Sequence, residues 1–432
     1  MIRSAKLIAA VLPALLCTTA PLSGQDLPMA SPESVGLSSG RLGHLDRVID
    51  RHIEEDLLAG VVVLVARRGR VAYLRAAGMQ DREAGIPMRE HTILRIASMT
   101  KPITSVAVMI LYEEGHFRLS DPVSTYLPAF EEMRVLADSA DASHPLAERA
   151  TVPAERPITI RDLLTHTSGL TYQWDRDLGD GYANAGITHG LVSDPDPLSS
   201  DIPRLAELPL RHHPGERWTY GLSVDVLGYL VETISGRSLP VFLRERIFEP
   251  LGMRDTQFRV AADQASRLSA AYTVGEDGNL RQLGEEVVHG SGTIYSAGYP
   301  TDEQHRFFSG GGGLTSTVPD YFRFAQMLLN EGELGGVRIL SAKSVELMTT
   351  DHVGELLENG GFGLGVSVTR SLAESGELDS PGSFGWASFW YGVFFVDPVE
   401  EMVGISIANQ HPAGAATLHS RFGILARQAI VK

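Results

Sequence analysis

Apolar residues recur along this chain with two different periods, and the order in which the periods alternate predicts its architecture. Over 39–58, SGRLGHLDRVIDRHIEEDLL, residues Leu42, Leu45, Val48, Ile49 and Ile53 keep helical spacing, and Ser38 or Ser39 can cap the helix. VVVLVARRGRVAYLRAAG follows, two β-branched runs around Arg68-Gly69, which predicts an antiparallel hairpin. Helical patterns then dominate at 105–115, 160–169, 223–236, 239–252 and 320–332. Between them lie polar segments at 136–157 and 173–201, rich in Asp, Ala, Gly, Ser and Pro, which read as surface loops or lids. Strand patterning returns in FGWASFWYGVFFVDP (384–398) and MVGISIANQ (402–410) around a turn at 398–400, and a last helix is expected over 414–430.

Helix, hairpin, long helical stretch, then strands and helix again predicts an α/β (α+β) fold. One antiparallel sheet is built from both chain ends and flanked by helices, with an all-α part inserted. The expected division is a signal peptide at 1–24 and a single domain at 25–432. Its α/β part covers about 30–103 and 310–432, and its inserted helical part about 104–309.

The N-terminus changes the picture of location. Arg3 and Lys6 precede an apolar run over 7–20, too short to span a bilayer comfortably and suited to a secretory signal, with small residues near Ser23 and Gly24 for cleavage. Cys17, the only cysteine, falls inside this leader, and Leu16 before it is a poor match to a lipid-modified cysteine. The expectation is a periplasmic or secreted protein whose mature part has no disulfide and inserts stably in no membrane. The formal net charge of −16 argues against nucleic acid or anionic membrane surfaces as partners. It leaves a small ester or amide substrate open, and no cofactor or metal is expected.

Candidate chemistry starts from a lysine. The chain has 4 lysines against 33 arginines, and Lys101 is the one that lies neither near a terminus nor in a charged surface-like segment. It stands three residues after Ser98 in IASMTKPITS, one helical turn along the same face. Pro102 is tolerated only near a helix start, so Ser98 is expected at a helix N-terminus, where free N–H groups favour developing negative charge. A serine hydroxyl needs a base to become a nucleophile, and a buried lysine can lose its proton where a guanidinium does not. A rival pattern, GLSSG at Gly36–Gly40, matches the G-x-S-x-G elbow but lacks the strand that must precede it and reads as a helix cap.

Ser98-Met-Thr-Lys101 in this setting resembles the nucleophile motif of the serine β-lactamase and penicillin-binding-protein superfamily, closest to class C β-lactamases and family VIII carboxylesterases. LLTHTSGL (163–170), PGERWTYGLSVDVLG (214–228), GGGGLTSTVPDYFRFAQMLLNEGEL (310–334) and FGWASFWYGVFFVDP (384–398) resemble that group's segments in the same order. The resemblance implies an acyl-enzyme on Ser98, with Lys101 and Tyr220 sharing proton transfer. Tyr220 matches the first position of the family's Tyr-x-Asn motif, and a phenol held beside a lysine can relay a proton. Leu222 replaces the motif's asparagine, which weakens a lactamase reading. Trp386-Ala387-Ser388 occupies the third motif, where lactam-cleaving relatives carry a cation for the substrate carboxylate; tryptophan there resembles the esterase branch. The same alignment implies an oxyanion hole from the N–H groups of Ser98 and Phe389, and a substrate pocket at Trp386, Ala387, Ser388 and Leu222.

The activity so implied is carboxylic ester hydrolysis. The alternatives are β-lactamase, D-amino-acid peptidase or acyltransferase chemistry at the same site, or a non-catalytic penicillin-binding-like sensor. Other candidates carry less. His166, in HTSGL, is expected to be structural. Adjacent His212 and His213 would point to opposite faces of a strand, and DRDLGDG (175–181) has glycines where a calcium loop needs ligands.

Overall fold

The structure, a computed structural model, describes residues 27–137, 144–284, 287–288 and 294–432. The apolar leader with Cys17 and part of the 136–157 polar segment lie outside the described residues. Its centre is an eight-stranded antiparallel sheet. Chain order gives β1 (Gly60–Arg67), β2 (Arg70–Asp81), β3 (Ile86–Pro87), β4 (Gly361–Phe362), β5 (Ser367–Val368), β6 (Phe384–Ser388), β7 (Gly392–Asp397) and β8 (Met402–Ile407). Spatial order is β4-β5-β6-β7-β8-β1-β2-β3, so both chain ends build the sheet, as the pattern predicted. The seam pairs Val62 with Ile407 and Leu64 with Ile405. Arg68 and Gly69, at φ 54° and 71°, make the β1–β2 turn, with positive φ at both central positions as the twist of a hairpin favours.

Every residue of β1 is buried, which explains its unbroken VVVLVA run: each face of the sheet is covered. The principal helices are α1 (Ser39–Glu54), α2 (Thr100–Glu113), α3 (Ser223–Ser235), α4 (Val318–Leu329) and α5 (Leu418–Arg427). Val61, Val63 and Val65 face Leu42, Leu45 and Ile49 of α1 and Leu418 and Phe422 of α5. Val62 and Leu64 join the opposite core, which runs through α2, α3 and α4. At about 25 cal/mol per Å² of apolar surface removed from water, these two cores are what hold the sheet's position.

Ser38, not Ser39, caps α1, accepting from the Arg41 N–H. The helix ends at Glu54 rather than running to 58, because Asp56 turns the chain at φ 54°. The 160–169 pattern yields only the short helix Ile160–Leu164, broken where His166 takes φ 57°. The 239–252 pattern is helical throughout but contains a π turn at Arg244–Phe248. The two polar segments hold short pieces of structure that periodicity did not reveal, including helices Gly179–Asn184 and Leu198–Leu205.

Candidate active site

Ser98 lies in a single 3-10 turn, Ala97–Met99, that leads directly into α2. This is the placement Pro102 implied. Three contacts hold the turn. The Tyr321 hydroxyl of α4 donates to the Met99 carbonyl at 2.9 Å, the Leu314 N–H donates to Thr100 Oγ1 at 3.2 Å, and Thr104 Oγ1 donates to the Gly310 carbonyl at 2.8 Å. Ala97, just before the serine, is held at φ 36°, a left-handed conformation that costs a non-glycine residue on the order of 1 kcal/mol or more. The surrounding packing therefore overrides local preference at this position.

Around Ser98 the structure brings together residues far apart in sequence. The Tyr220 hydroxyl donates to Ser98 Oγ at 2.6 Å, and Lys101 Nζ lies 3.4 Å from the same oxygen. Lys101 is 1% exposed, yet among the described residues no carboxylate touches its ammonium. Its other acceptors are the Tyr172 hydroxyl at 2.9 Å and the Gly311 carbonyl at 2.7 Å, and its Nζ sits 4.5 Å from the Tyr220 ring centroid. The oxygens bonded to Lys101 Nζ are thus all uncharged, and Asp225 acts on it only from a distance.

Two residues of this network carry no motif in the sequence. Tyr172 is buried, and desolvation, with the neighbouring Tyr220 and Asp225, holds its phenol well above the ordinary value. It therefore stays protonated and serves as a fixed neutral partner. Asp225, on the first turn of α3, accepts from Ser309 Oγ and from the Gly311 N–H at 3.2 Å. Burial pushes its carboxyl above the usual range, while Lys101 pulls the other way. Asp225 thus fixes the glycine run whose carbonyl receives Lys101. A Cβ on Gly311 would meet Asp225 Oδ2 at 2.6 Å, so any side chain there would have to displace the carboxylate. The run of glycines at 310–313 was the available signal.

The HTSGL segment carries Tyr220. The Thr219 N–H donates to the His166 carbonyl at 2.8 Å, the Leu222 N–H to the Thr171 carbonyl at 3.3 Å, and Ser168 Oγ meets Ser223 Oγ at 2.8 Å. His166 itself is fully buried with its ring 4.9 Å from that of Tyr220, and burial, then Lys101, lowers its pKa well below the ordinary value. It packs as a neutral aromatic ring.

A cavity of about 230 Å³ opens on Ser98. Trp386, Ala387, Ser388 and Phe389, at the end of β6 and in the turn after it, form one wall, and Tyr172, Tyr220 and Gly311 form another. Trp174, His189 and Leu191, all from the 173–201 segment, close the third side. Trp174 stacks on Tyr172 at 4.2 Å and is 40% exposed at the rim. His189 is kept neutral by burial, which lowers its pKa to about 4. Leu222 is not among the lining residues. It is 1% exposed in the core behind Tyr220, because the start of α3 turns it inward.

The remaining sequence candidates lie elsewhere. Ser38 of GLSSG caps α1, with a 3-10 turn at Pro32–Val35 in front of it. His212 bonds Thr219 Oγ1 and the His213 carbonyl, both at 2.9 Å, while His213 Nδ1 accepts from the Glu155 N–H. In DRDLGDG, Asp175 caps the N–H groups of Asp177 and Leu178, and both aspartates pair with Arg211. Among the described residues no group of three or more His, Cys, Asp or Glu side chains is placed to hold a metal ion. No described helix is long and apolar enough to cross a membrane.

Comparison with known proteins agrees with this geometry. A family model described as Beta-lactamase matches residues 45–427. Esterase EstB of Burkholderia gladioli is 33% identical over 411 residues, covering 92% of this chain and 98% of its own. The lovastatin esterase of Penicillium rubens is 30% identical over 318 residues, covering 72% and 73%. Among solved structures, EstCE1, described as a hydrolase with promiscuous acyltransferase activity, superposes with a TM-score of 0.77 at 28% identity, covering 91% of this chain and 99% of its own. With the sheet closed from both chain ends and Ser98, Lys101 and Tyr220 in mutual reach, the chain belongs to the beta-lactamase family, as a serine hydrolase of its esterase-like members.

Proposed function

We propose that this protein hydrolyses carboxylic esters through an acyl-enzyme on Ser98. The observation that carries the proposal is the pair of contacts on Ser98 Oγ: a phenol at 2.6 Å and a buried ammonium at 3.4 Å that touches no carboxylate. The Lys101–Tyr220 pair acts as base once it has given up one proton, leaving Lys101 as the amine or Tyr220 as the phenolate; Ser98 Oγ then attacks the ester carbonyl carbon while its proton passes to the pair. The developing oxyanion is received by the N–H groups of Ser98 and Phe389. The C–O bond to the alcohol then breaks, and the departing oxygen takes the proton back from the pair. Water attacks the acyl carbon and gives a proton to the same pair, which passes it to Ser98 Oγ as the acyl–Oγ bond breaks and the acid leaves.

Ester rather than lactam or peptide cleavage is supported by the wall at 386–388. Trp386-Ala387-Ser388 offers no cation to a substrate carboxylate, and the cavity lining includes no arginine or lysine. The aromatic enclosure suits an uncharged acyl group. EstB and the lovastatin esterase, by their names, support the same reading. Transfer of the acyl group to an alcohol in place of water, the second activity in EstCE1's description, uses the same steps. The basic and apolar leader supports export to the periplasm or the medium, which N-terminal sequencing of the protein recovered from each fraction of its host would test.

The test is steady-state turnover of p-nitrophenyl butyrate, a chromogenic cephalosporin and a D-alanyl-D-alanine peptide by the mature protein and Ser98→Ala. Turnover of the ester alone, lost in the variant, is expected. Ester turnover that survives in Ser98→Ala contradicts the mechanism, and preference for the lactam or peptide contradicts the substrate class.

A further inference from the structure

A second cavity, roomier than the one at Ser98, lies elsewhere among the described residues. About 880 Å³ of space lies between the 239–252 helical segment, the stretch from Met253 to Arg259 and the outer face of α4. None of its lining residues is shared with the Ser98 cavity. Its floor is apolar, with Phe248, Leu251, Phe258 and Phe322 buried beneath it and Phe308 at one side.

Its charge is the unusual feature. In a chain of formal net charge −16, four arginines line this one cavity, against a single carboxylate, Glu249, that already pairs with Arg244 at 3.4 Å. Among the described residues, the guanidinium groups of Arg254 and Arg323 make no hydrogen bond or ion pair. Arg323 feels Asp320 only at a distance, since that carboxylate is occupied by the Asp255 N–H at 2.7 Å and Thr256 Oγ1 at 3.1 Å. Arg259 donates from Nη2 to the His305 carbonyl and lies 5.8 Å from the Phe308 ring, and its Nε is buried without a partner. Other arginines of the chain are paired with carboxylates, as Arg75 is with Asp46 and Asp50 and Arg267 with Asp255.

We propose that this cavity binds a single-tailed amphiphilic carboxylate, its anionic head against Arg254, Arg259 and Arg323 and its hydrocarbon tail along the aromatic floor. A guanidinium suits this head, because its planar fork takes a carboxylate in two parallel bonds. The volume falls in the range of about 300–1,000 Å³ typical of small-ligand sites. A free monomer fits better than a lipid surface. The acidic molecule is repelled by an anionic bilayer as a whole, while three arginines inside a recess act only within about 8 Å.

The test titrates decanoate, below its micelle concentration, 1-decanol and acetate into the full chain by calorimetry, beside Arg254→Gln/Arg323→Gln and Arg254→Lys/Arg323→Lys. Saturable binding of decanoate is expected, with at least about tenfold weaker binding of both 1-decanol and acetate, which lack the head and the tail respectively. The glutamine pair should lose about tenfold or more in affinity, the lysine pair should recover part of it, and both should hydrolyse p-nitrophenyl butyrate as the parent does. Equal affinity in parent and glutamine pair, equal binding of 1-decanol, or no saturable binding overturns the proposal. Cosedimentation with phosphatidylglycerol vesicles, without binding of decanoate monomers, overturns it in favour of a lipid surface.

Discussion

Two cations are buried within one stretch of seven residues, and they are handled in opposite ways. Arg95 and Lys101 are 3% and 1% exposed, and among the described residues neither touches a carboxylate. Arg95 spreads its guanidinium over carbonyl oxygens only: Ser269 at 2.7 Å, Ala297 at 3.1 Å and the Asn409 side chain at 3.3 Å. Burial lowers its pKa to about 10, which still leaves it charged at neutral pH. Its fork ties three separated loops to the strand before Ser98. Lys101 has one carbonyl and two hydroxyls, those of Ser98 and Tyr172. Carbonyls only accept, so the Arg95 site is a clamp, whereas hydroxyls both accept and donate, so the Lys101 site can pass a proton. On the proposed mechanism, this difference in partner chemistry, more than burial, separates the structural cation from the reactive one.

Exchanging the cation type attacks this contrast most strongly. Lys101→Arg keeps the charge but removes a group able to lose it, and kcat/KM on p-nitrophenyl butyrate should fall by ~10³-fold or more. Tyr220→Phe removes the 2.6 Å contact to Ser98 and should lower kcat by ~10²–10⁴-fold with little change in thermal stability. Arg95→Met should do the reverse. Stripping carbonyls at three sites of their donor is expected to lower unfolding free energy by ~2–4 kcal/mol in denaturant titration, while the folded fraction keeps kcat.

Asp320 supplies the anionic counterpart. Burial raises its carboxyl to about 6, and it too lacks a directly bonded cation. Unfolded, it titrates near 4, so between about pH 4 and pH 6 the folded protein holds a proton that the unfolded chain has lost. With fewer protons on the unfolded state, stability falls as pH rises through that window. Asp320→Asn should flatten this fall by ~2 kcal/mol in urea midpoints measured from pH 4 to pH 7. The smallest effect is expected from Tyr172→Phe, which removes one of the acceptors of Lys101 and should lower kcat by about tenfold.

The same contrast shows what could be read before folding. Local pattern reached the β1–β2 hairpin, the sheet made from both ends, and Ser98 with Lys101 one turn along, because neighbours in sequence decide those features. Tyr220 and the Trp386–Ser388 wall came from family resemblance rather than from pattern. Tyr172, Asp225 and the Gly311 carbonyl were not legible. Each reaches Lys101 only through long-range packing, and a lone tyrosine after HTSGL looks like any core residue. Leu222 was expected in the pocket from its motif position, but the first turn of α3 sends it inward to the core. Helix ends were misplaced where single residues at positive φ, Asp56 and His166, stop the chain without a glycine. Arg95 gave no signal at all, since its partners at 269, 297 and 409 are all distant in sequence.

The central claim is that Ser98, activated by the Lys101–Tyr220 pair, is the nucleophile. Its most direct test is labelling with a p-nitrophenyl alkylphosphonate, followed by intact-mass and peptide mass spectrometry on the parent, Ser98→Ala and Lys101→Arg. One phosphonyl group per chain on the peptide containing Ser98, absent in Ser98→Ala and slowed in Lys101→Arg, is the result predicted. A label on another residue, or equal labelling of the parent and Ser98→Ala, would contradict it.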